Sequence, residues 1–452
     1  MKVHLIAIGG SAMHNMAIAL HQKGITVTGS DDEIFEPSQS RLAVLGLLPT
    51  EIGWFPEKIH NQLDAVILGM HARIDNPELA RAKELNLRIY SYPEYIYEQT
   101  RSKVRIVIGG SHGKTSTTAM ILHVFSAMNI ETDYMVGAQL EGFDCMVRFS
   151  ESAKFAVIEG DEYLSSPIDR RPKFHLYHPD VAILTGIAWD HINVFPTFEN
   201  YVEQFSIFID QISPEGHLIY CENDEILRKL CSEHSTNIEK LSYITHPYEI
   251  QNGITWLITA DGKIPLQIFG EHNLQNLNAA LLACKFAGIE ENAFYSAIQS
   301  FKGASKRLEL VWKNEVCAVY KDFAHSPSKL KATTGALARQ FENRKLVACI
   351  ELHTFSSLNA DFLSEYSESM SEADEAIVYF NPHTIEHKKL PPVHKEQVEE
   401  AFGGNNIHVF TSSEQLKEYL LHQRWTNSNL LMMSSGTFDG MDINDLTLKL
   451  KM

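Results

Sequence analysis

The 452-residue chain has no run of about 18 uninterrupted apolar residues, the length a helix needs to span a bilayer. It is poor in cysteine: the six (Cys145, Cys221, Cys231, Cys284, Cys317 and Cys349) are scattered and form no C-x-x-C pair. That argues against a disulfide framework and a zinc cluster, and predicts reduced, mostly buried thiols. Positive charge is short as well. Lys and Arg number 39 against 57 Asp and Glu, for a formal charge of -18, which argues against a general binder of nucleic acid or of a membrane surface, both of them polyanions. A locally basic phosphate pocket remains open. Repeats and low-complexity tracts are absent. The opening MKVHLIAIGG carries one lysine and an apolar run too short for a signal peptide, so the expectation is a cytoplasmic protein with no membrane partner.

What is present is a globular balance, 44% hydrophobic and 21% charged, at a length suited to about three domains. Apolar strands alternate with helical stretches, which predicts an α/β fold with parallel sheets. A first unit, 1–101, opens with a strand at Val3–Ile8, then strands at Thr26–Thr28 and Ala65–Leu68. A second, 102–303, starts with Val104–Ile108 and continues through a helix at Ala119–Met128, strands at Phe155–Glu159 and Val181–Thr185, and a helix at Asn276–Ala287. A third, 304–452, has strands at Val316–Tyr320, Leu346–Glu351, Ala376–Phe380 and Leu430–Met433, with a surface excursion around Pro382, Pro391 and Pro392.

The strongest chemical signal follows Val104–Ile108. Gly109-Gly110-Ser111-His112-Gly113-Lys114-Thr115-Ser116 is a glycine-rich turn from strand to helix, which aims backbone N–H groups at an anion. The common G-x-x-x-x-G-K-[ST] spacing fails, because Ile108 stands five before Gly113, but the shorter G-x-x-G-K-[TS] form fits. Lys114 suits the β- and γ-phosphates of a nucleotide and the Thr115 hydroxyl suits Mg²⁺. A plain strand–helix turn is the alternative.

Weaker signals follow. Glu159-Gly160-Asp161-Glu162 ends a strand and offers carboxylates for a cation, or else a solvated acidic loop. His191, in Trp189-Asp190-His191, would hold a second metal or orient a carboxylate. Asn273 and Asn276 open an alanine-rich helix. Their amides suit an adenine edge, although the spacing by itself favours an Asn-capped helix. Arg307, beside Lys306, suits a transferring phosphoryl group, and Asp322 in Asp322-Phe323-Ala324-His325-Ser326-Pro327 suits a ribose. At the N-terminus Gly9, Gly10 and Ser11 form an incomplete dinucleotide-type turn, with Ser30 and Asp31 closing the second strand and His71 and Arg73 following the third. Together they suit a nucleotide diphosphate.

In this order the motifs resemble those of the Mur ligase family, which builds the peptide stem of bacterial peptidoglycan, over essentially the whole chain. G-S-H-G-K-T-S looks like the family's ATP loop and I-E-G-D-E-Y like its metal segment, with His191 like its metal-site histidine. G-E-H-N-L-Q-N-L-N-A-A looks like its adenine segment, and K-R-L-E with D-F-A-H-S-P like its C-terminal nucleotide and catalytic motifs. The resemblance implies an N-terminal Rossmann-like domain for the UDP-sugar, a central P-loop ATPase domain, and a C-terminal Rossmann-like domain for the amine substrate. It implies ATP and Mg²⁺ as cofactors, a metal held by Thr115, Glu159 and His191, and catalytic roles for Lys114, His191, Arg307 and His325. The glycine-rich start is similar to the branch acting on UDP-N-acetylmuramate, in which one member adds L-alanine and another the tripeptide L-alanyl-γ-D-glutamyl-meso-diaminopimelate. Asp169-Arg170-Arg171-Pro172-Lys173-Phe174, Glu351-Leu352-His353 and Ser434-Ser435-Gly436-Thr437-Phe438-Asp439-Gly440 are more similar to the tripeptide-adding member. Lys321, Ser326, Ala12 and His14 depart from the family's usual residues, and Glu351-Leu352-His353 stands where the tripeptide-adding member tends to carry E-P-R. The expected assembly is a monomer or weak homodimer. The alternatives are the L-alanine-adding ligase and, from another class, a nucleotide-binding protein without catalysis.

Overall fold

The computed structural model describes residues 1–189, 192–305, 307–403 and 406–450. The chain divides into two compact units. The first holds 1–187, 197–244 and 278–297, and the second 188–196, 245–277 and 298–452.

Two parallel-rich sheets build the first unit. One has four parallel strands in the order Thr26–Ser30, Lys2–Ile6, Ala65–Leu68, Ile89–Ser91. The other has seven, in the order Glu239–Tyr243, His217–Cys221, Val181–Leu184, Val104–Gly109, Phe155–Glu159, Thr132–Met135, Val147–Arg148, with only the last pair antiparallel. The strands entering the phosphate loop are buried on both faces, as parallel strands covered by helices are, and so read as continuous apolar runs: Ile106, Val107 and Ile108 are fully buried, as are Ala182, Ile183 and Leu184.

The second unit has a six-stranded sheet in the order Glu309–Lys313, Ala318–Asp322, Ser428–Met433, Lys345–Leu352, Glu375–Phe380, Ile407–Phe410, parallel except at its first pair. Alternation divides its core. Ala348, Ile350, Val378 and Met433 face one cluster, and Val347, Cys349, Ile377 and Met432 the other. The unit also has a three-stranded antiparallel sheet, Tyr248–Gln251, Ile254–Thr259 and Gly262–Pro265.

The α/β class is as expected, and several boundaries move. The helix expected from Ala119 begins at Lys114, because Gly113, in the left-handed region at φ 78°, turns the chain straight from the phosphate loop into the first helical turn. The helix expected from Asn276 starts at Glu271. Pro382 is not in a loop but opens the helix Pro382–His387, at the first-turn position where a missing N–H costs nothing. The small antiparallel sheet was not anticipated, although Asn252-Gly253 and Asp261-Gly262 are hairpin-turn signals. All six cysteines are buried and unbridged.

Gly29 shows how tightly the first sheet is built. A Cβ there would stand 2.6 Å from Ile8 Cδ1 and 2.9 Å from the Leu5 carbonyl. Gly29→Ala is expected to lower stability by roughly 1–3 kcal/mol through overpacking; chemical denaturation measures it, and an unchanged midpoint would contradict the packing.

Candidate functional site

The helix Lys114–Ala127 starts at the C-terminal end of strand Val104–Gly109. Its first backbone bond runs from Thr117 N–H to the Gly113 carbonyl, so the amides of Lys114, Thr115 and Ser116 precede the helix's own ladder and mark its anion-binding end. The turn is braced from below by Thr185 and Gly186. Ser111 N–H donates to the Gly186 carbonyl at 3.0 Å. The Thr185 hydroxyl bonds the Gly109 and His112 carbonyls. There is no room for side chains here: a Cβ on Gly110 (φ 132°) would lie 2.2 Å from Thr185 Oγ1, and one on Gly186 (φ 154°) 2.4 Å from the His112 ring. Asp224 holds the brace, its carboxylate accepting from the amides of Ile187 and Leu227, both at 2.8 Å.

Lys114 Nζ donates to the Gly110 carbonyl at 2.5 Å and to Glu162 Oε2 at 2.6 Å. Burial disfavours this ammonium, but Glu162, Asp161 and Glu159 outweigh it and hold its pKa above the usual lysine value. Glu162 is itself oriented by the Tyr201 hydroxyl, which donates to Oε1 at 3.1 Å. That leaves the Ser111 hydroxyl as donor to Tyr201 at 2.8 Å. The Thr115 hydroxyl donates to Glu159 Oε1 at 2.8 Å, and Gly137 N–H donates to Oε2 at 2.9 Å. A hydroxyl and a carboxylate at that spacing are the hard oxygen donors Mg²⁺ takes. Among the described residues no group of three or more His, Cys, Asp or Glu gathers into a metal cluster. Asp190 and His191 lie outside the described residues, as does Lys306.

The N-terminal residues converge at the ends of the first sheet. Its order puts Lys2–Ile6 between the second and third strands, so the connections diverge at its C-terminal end, where open α/β sheets take ligands. Gly9 N–H donates to Asp31 Oδ2 at 2.7 Å. His71 Cδ2 lies 3.5 Å from where a Cβ on Gly10 would stand. Ser11 opens the helix Ser11–Gln22. Lys58, not anticipated from sequence, reaches Ser30 Oγ at 3.3 Å. Burial pushes the Asp31 carboxyl up to about 6, with the Asp32 side chain adding to the shift and the Gly9 and Glu33 amides opposing it.

The second unit brings Arg307, Asp322 and His325 together. Asp322 accepts from the amides of Leu308 at 2.5 Å and Ala324 at 2.6 Å. Burial raises its pKa against the pull of the Arg307 guanidinium. That guanidinium lies 4.9 Å from the centroid of the Phe323 ring, and His325 Nδ1 is 2.9 Å from the Phe323 carbonyl. Asn273 and Asn276 are buried, and Asn273 donates to the Phe269 carbonyl at 2.8 Å, a local bond that leaves its amide oxygen for another partner. The Glu351 carboxylate joins the final turn, accepting from the Ser434 hydroxyl and from Phe438 N–H at 2.8 Å, and lies 3.7 Å from His353 Nδ1. Sequence reasoning missed Thr185, Asp224 and Tyr201, since a threonine, an N-capping aspartate and a helix tyrosine carry no motif.

A phosphate loop with a carboxylate-clamped lysine, between two further α/β sheets in the sequence, is the architecture of a nucleotide-phosphate-binding protein. Residues 2–103 match the description "Mur ligase family, catalytic domain", 108–284 "Mur ligase middle domain" and 306–436 "Mur ligase, glutamate ligase domain". The chain is 30% identical over 392 residues to a UDP-N-acetylmuramate–L-alanine ligase of Limosilactobacillus reuteri, covering 83% of this chain and 84% of that one. Its fold is similar to a murein peptide ligase from Psychrobacter arcticus (TM-score 0.67, 22% identity, 100% of this chain and 98% of that one). It is also similar to a UDP-N-acetylmuramate–alanine ligase from Thermotoga maritima (TM-score 0.70, 20% identity, 97% of each). The chain belongs to the Mur ligase family and is an ATP-dependent, amide-bond-forming ligase. Among the described residues no helix is long and apolar enough to cross a membrane.

Gly186→Ala is expected to push His112 out of the loop and weaken ATP binding at least tenfold, about 1.4 kcal/mol, in a calorimetric titration; unchanged affinity would contradict the brace. The pH dependence of Asp31 has a definite sign. Its folded pKa is about 6 and the unfolded value roughly 4, so the penalty for its buried charge is absent below about pH 4, grows between the two values, and is full above about pH 6. Asp31→Asn is therefore expected to gain stability relative to the unaltered chain as pH rises through that window. A constant difference in melting temperature would contradict the shift.

Proposed function

We propose that this ligase joins the lactyl carboxylate of UDP-N-acetylmuramate to the tripeptide L-alanyl-γ-D-glutamyl-meso-diaminopimelate, in the recycling or synthesis of peptidoglycan. The observation that carries the choice of acceptor is the corner formed by Glu351, His353 and the Ser434–Phe438 turn. Two of the three segments similar to the tripeptide-adding member meet there. The fold is common to the Psychrobacter murein peptide ligase and the Thermotoga alanine ligase, so the choice of acceptor rests on that corner. The L-alanine ligase is the second reading, favoured by the names of the curated relatives.

In the proposed reaction the lactyl carboxylate attacks the γ-phosphorus of ATP and ADP leaves, giving an acyl phosphate. The free amine then attacks the acyl carbon and phosphate departs. The first step brings two anions together. Lys114 would move from Glu162 to the β- and γ-phosphates, and Arg307 would spread the developing charge. Thr115 and Glu159 would hold Mg²⁺, which supplies charge neutralisation when bound; His191 is proposed to help hold a second ion. Gly110 to Ser116 would cradle the phosphates, Asn273 and Asn276 the adenine, and Asp322 the ribose. His325 would position the attacking group or the phosphates. Gly9, Gly10, Ser11, Ser30, Asp31 and His71 would hold the UDP-sugar. We propose a cytoplasmic location and Mg²⁺-ATP as the nucleotide form used.

Phosphate release from Mg²⁺-ATP and UDP-N-acetylmuramate, with the tripeptide or L-alanine added in parallel, tests the proposal. Release with the tripeptide alone is expected. Release with L-alanine alone would favour the second reading. Lys114→Met is expected to lower kcat by roughly 10²–10³-fold, and a variant retaining full activity would overturn the role given to the loop.

A further inference from the structure

His14 lies in the helix Ser11–Gln22, directly after the glycine turn given to the sugar nucleotide, and is 2% exposed. Its ring is bonded on both nitrogens. Nδ1 lies 3.0 Å from the Gly10 carbonyl and 2.9 Å from Ser38 Oγ. Nε2 lies 2.9 Å from Arg41 Nη1 and 3.2 Å from Asn15 Nδ2. A guanidinium nitrogen can only donate. The Asn15 amide is oriented by its other bonds: Nδ2 donates to the Ser11 carbonyl at 2.8 Å, and Oδ1 accepts from Met146 N–H at 2.9 Å. Two donors therefore point at Nε2, which must be the acceptor, and the proton sits on Nδ1, bonded to the Gly10 carbonyl. The ring is neutral and held in one tautomer.

The network continues beyond the turn. Arg41 Nη2 donates to the Asp144 carbonyl. Cys145 Sγ donates to the Asn15 carbonyl at 3.3 Å. Asp144, Cys145 and Met146 close the loop between strands Thr132–Met135 and Val147–Arg148, and the other end of that loop is Gly137, whose N–H holds Glu159. One loop thus grips the carboxylate beside Thr115 at one end and the Arg41–His14–Gly10 chain at the other. All of these groups belong to the first unit.

We propose that His14 is a positioning residue of the ligase reaction: as a neutral, single-tautomer acceptor for Arg41, it fixes the Gly9–Ser11 turn against the loop that holds Glu159, and so aims the sugar-nucleotide carboxylate at the ATP phosphates. This rests on the reading that the turn takes the sugar nucleotide. His14 is buried beneath the turn. It acts through the Gly10 carbonyl, and its effect is on orientation, where a small misplacement costs a large factor in rate.

The test uses the full chain with UDP-N-acetylmuramate, Mg²⁺-ATP and the acceptor that supports turnover. His14→Leu fills similar space without an acceptor. It is expected to lower kcat/KM for the sugar nucleotide about tenfold or more while leaving the KM for ATP unchanged. His14→Gln, whose amide oxygen can accept from Arg41, is expected to restore most of the loss. Arg41→Met alone is expected to give a similar loss, and Arg41→Met in the His14→Leu background little further loss, since both remove one link. Arg41 is only partly buried, so that single variant keeps the test informative if His14→Leu fails to fold. Equal losses in the Leu and Gln variants, additive losses in the double variant, or a KM for ATP rising in step would each overturn the proposal. Failure of the unaltered chain to bind UDP-N-acetylmuramate in a direct titration would overturn the reading of the turn as well. Binding with no loss in the His14→Leu and Arg41→Met variants would overturn the role of His14 alone.

Discussion

The Lys114 side chain is 15% exposed and that of Glu162 1%, and much of the first unit's interior chemistry follows from keeping the buried ammonium compensated. An unpaired buried charge would cost several kcal/mol. The compensation is built in layers. Glu162 faces the ammonium, Tyr201 fixes Glu162, and Ser111 of the loop itself fixes Tyr201. The loop therefore determines the position of its own counter-ion through a tyrosine on a different element. In the proposed reaction a lysine held this way would exchange one anion for another, as a phosphate site in a low-dielectric pocket requires.

The same economy of space explains the glycines. Gly110 and Gly186 face each other's strands so closely that a Cβ on either would collide with a neighbouring side chain, and both take backbone angles that favour glycine. The glycine pattern that made the loop recognisable is thus a statement about Thr185 and His112 as much as about phosphate. The sequence shows the two loop glycines together, whereas Gly186 stands 73 positions after Gly113 and could be connected to them only once the neighbouring strand was in place.

That contrast accounts for what could be read in advance. The α/β class was legible because parallel strands buried on both faces leave continuous apolar runs, and Ile106–Ile108 and Ala65–Leu68 are such runs. The phosphate loop was legible because its function depends on adjacent backbone amides. Edge and exposed elements were not: strand Glu309–Lys313 has no fully buried residue, and its apolar stretch, Leu310-Val311-Trp312, is only three residues long. The helix start at Lys114 was misjudged because Thr115, Ser116, Thr117 and Thr118 have weak helix propensity, and tertiary burial of all four overrides it. The roles of Tyr201, Thr185 and Asp224 depend on contacts between distant elements and have no local pattern at all.

A departure from a family pattern can carry information of this non-local kind. His14 breaks the small-residue run after the N-terminal glycines, and on sequence grounds alone it only weakens the match. In the structure the larger ring sits between the Gly10 carbonyl and a guanidinium, and Ser38, Asn15 and Met146 complete its surroundings. Where small residues would leave the turn to be held by backbone alone, the imidazole adds a donor to one side and an acceptor to the other. Because Arg41 and Asn15 present only protons to Nε2, a second ring proton would meet two donors, and burial lowers the pKa of the ring as well. The ring therefore stays neutral, and the glycine turn and the Glu159 loop are held to one geometry by hydrogen bonds whose polarity cannot reverse.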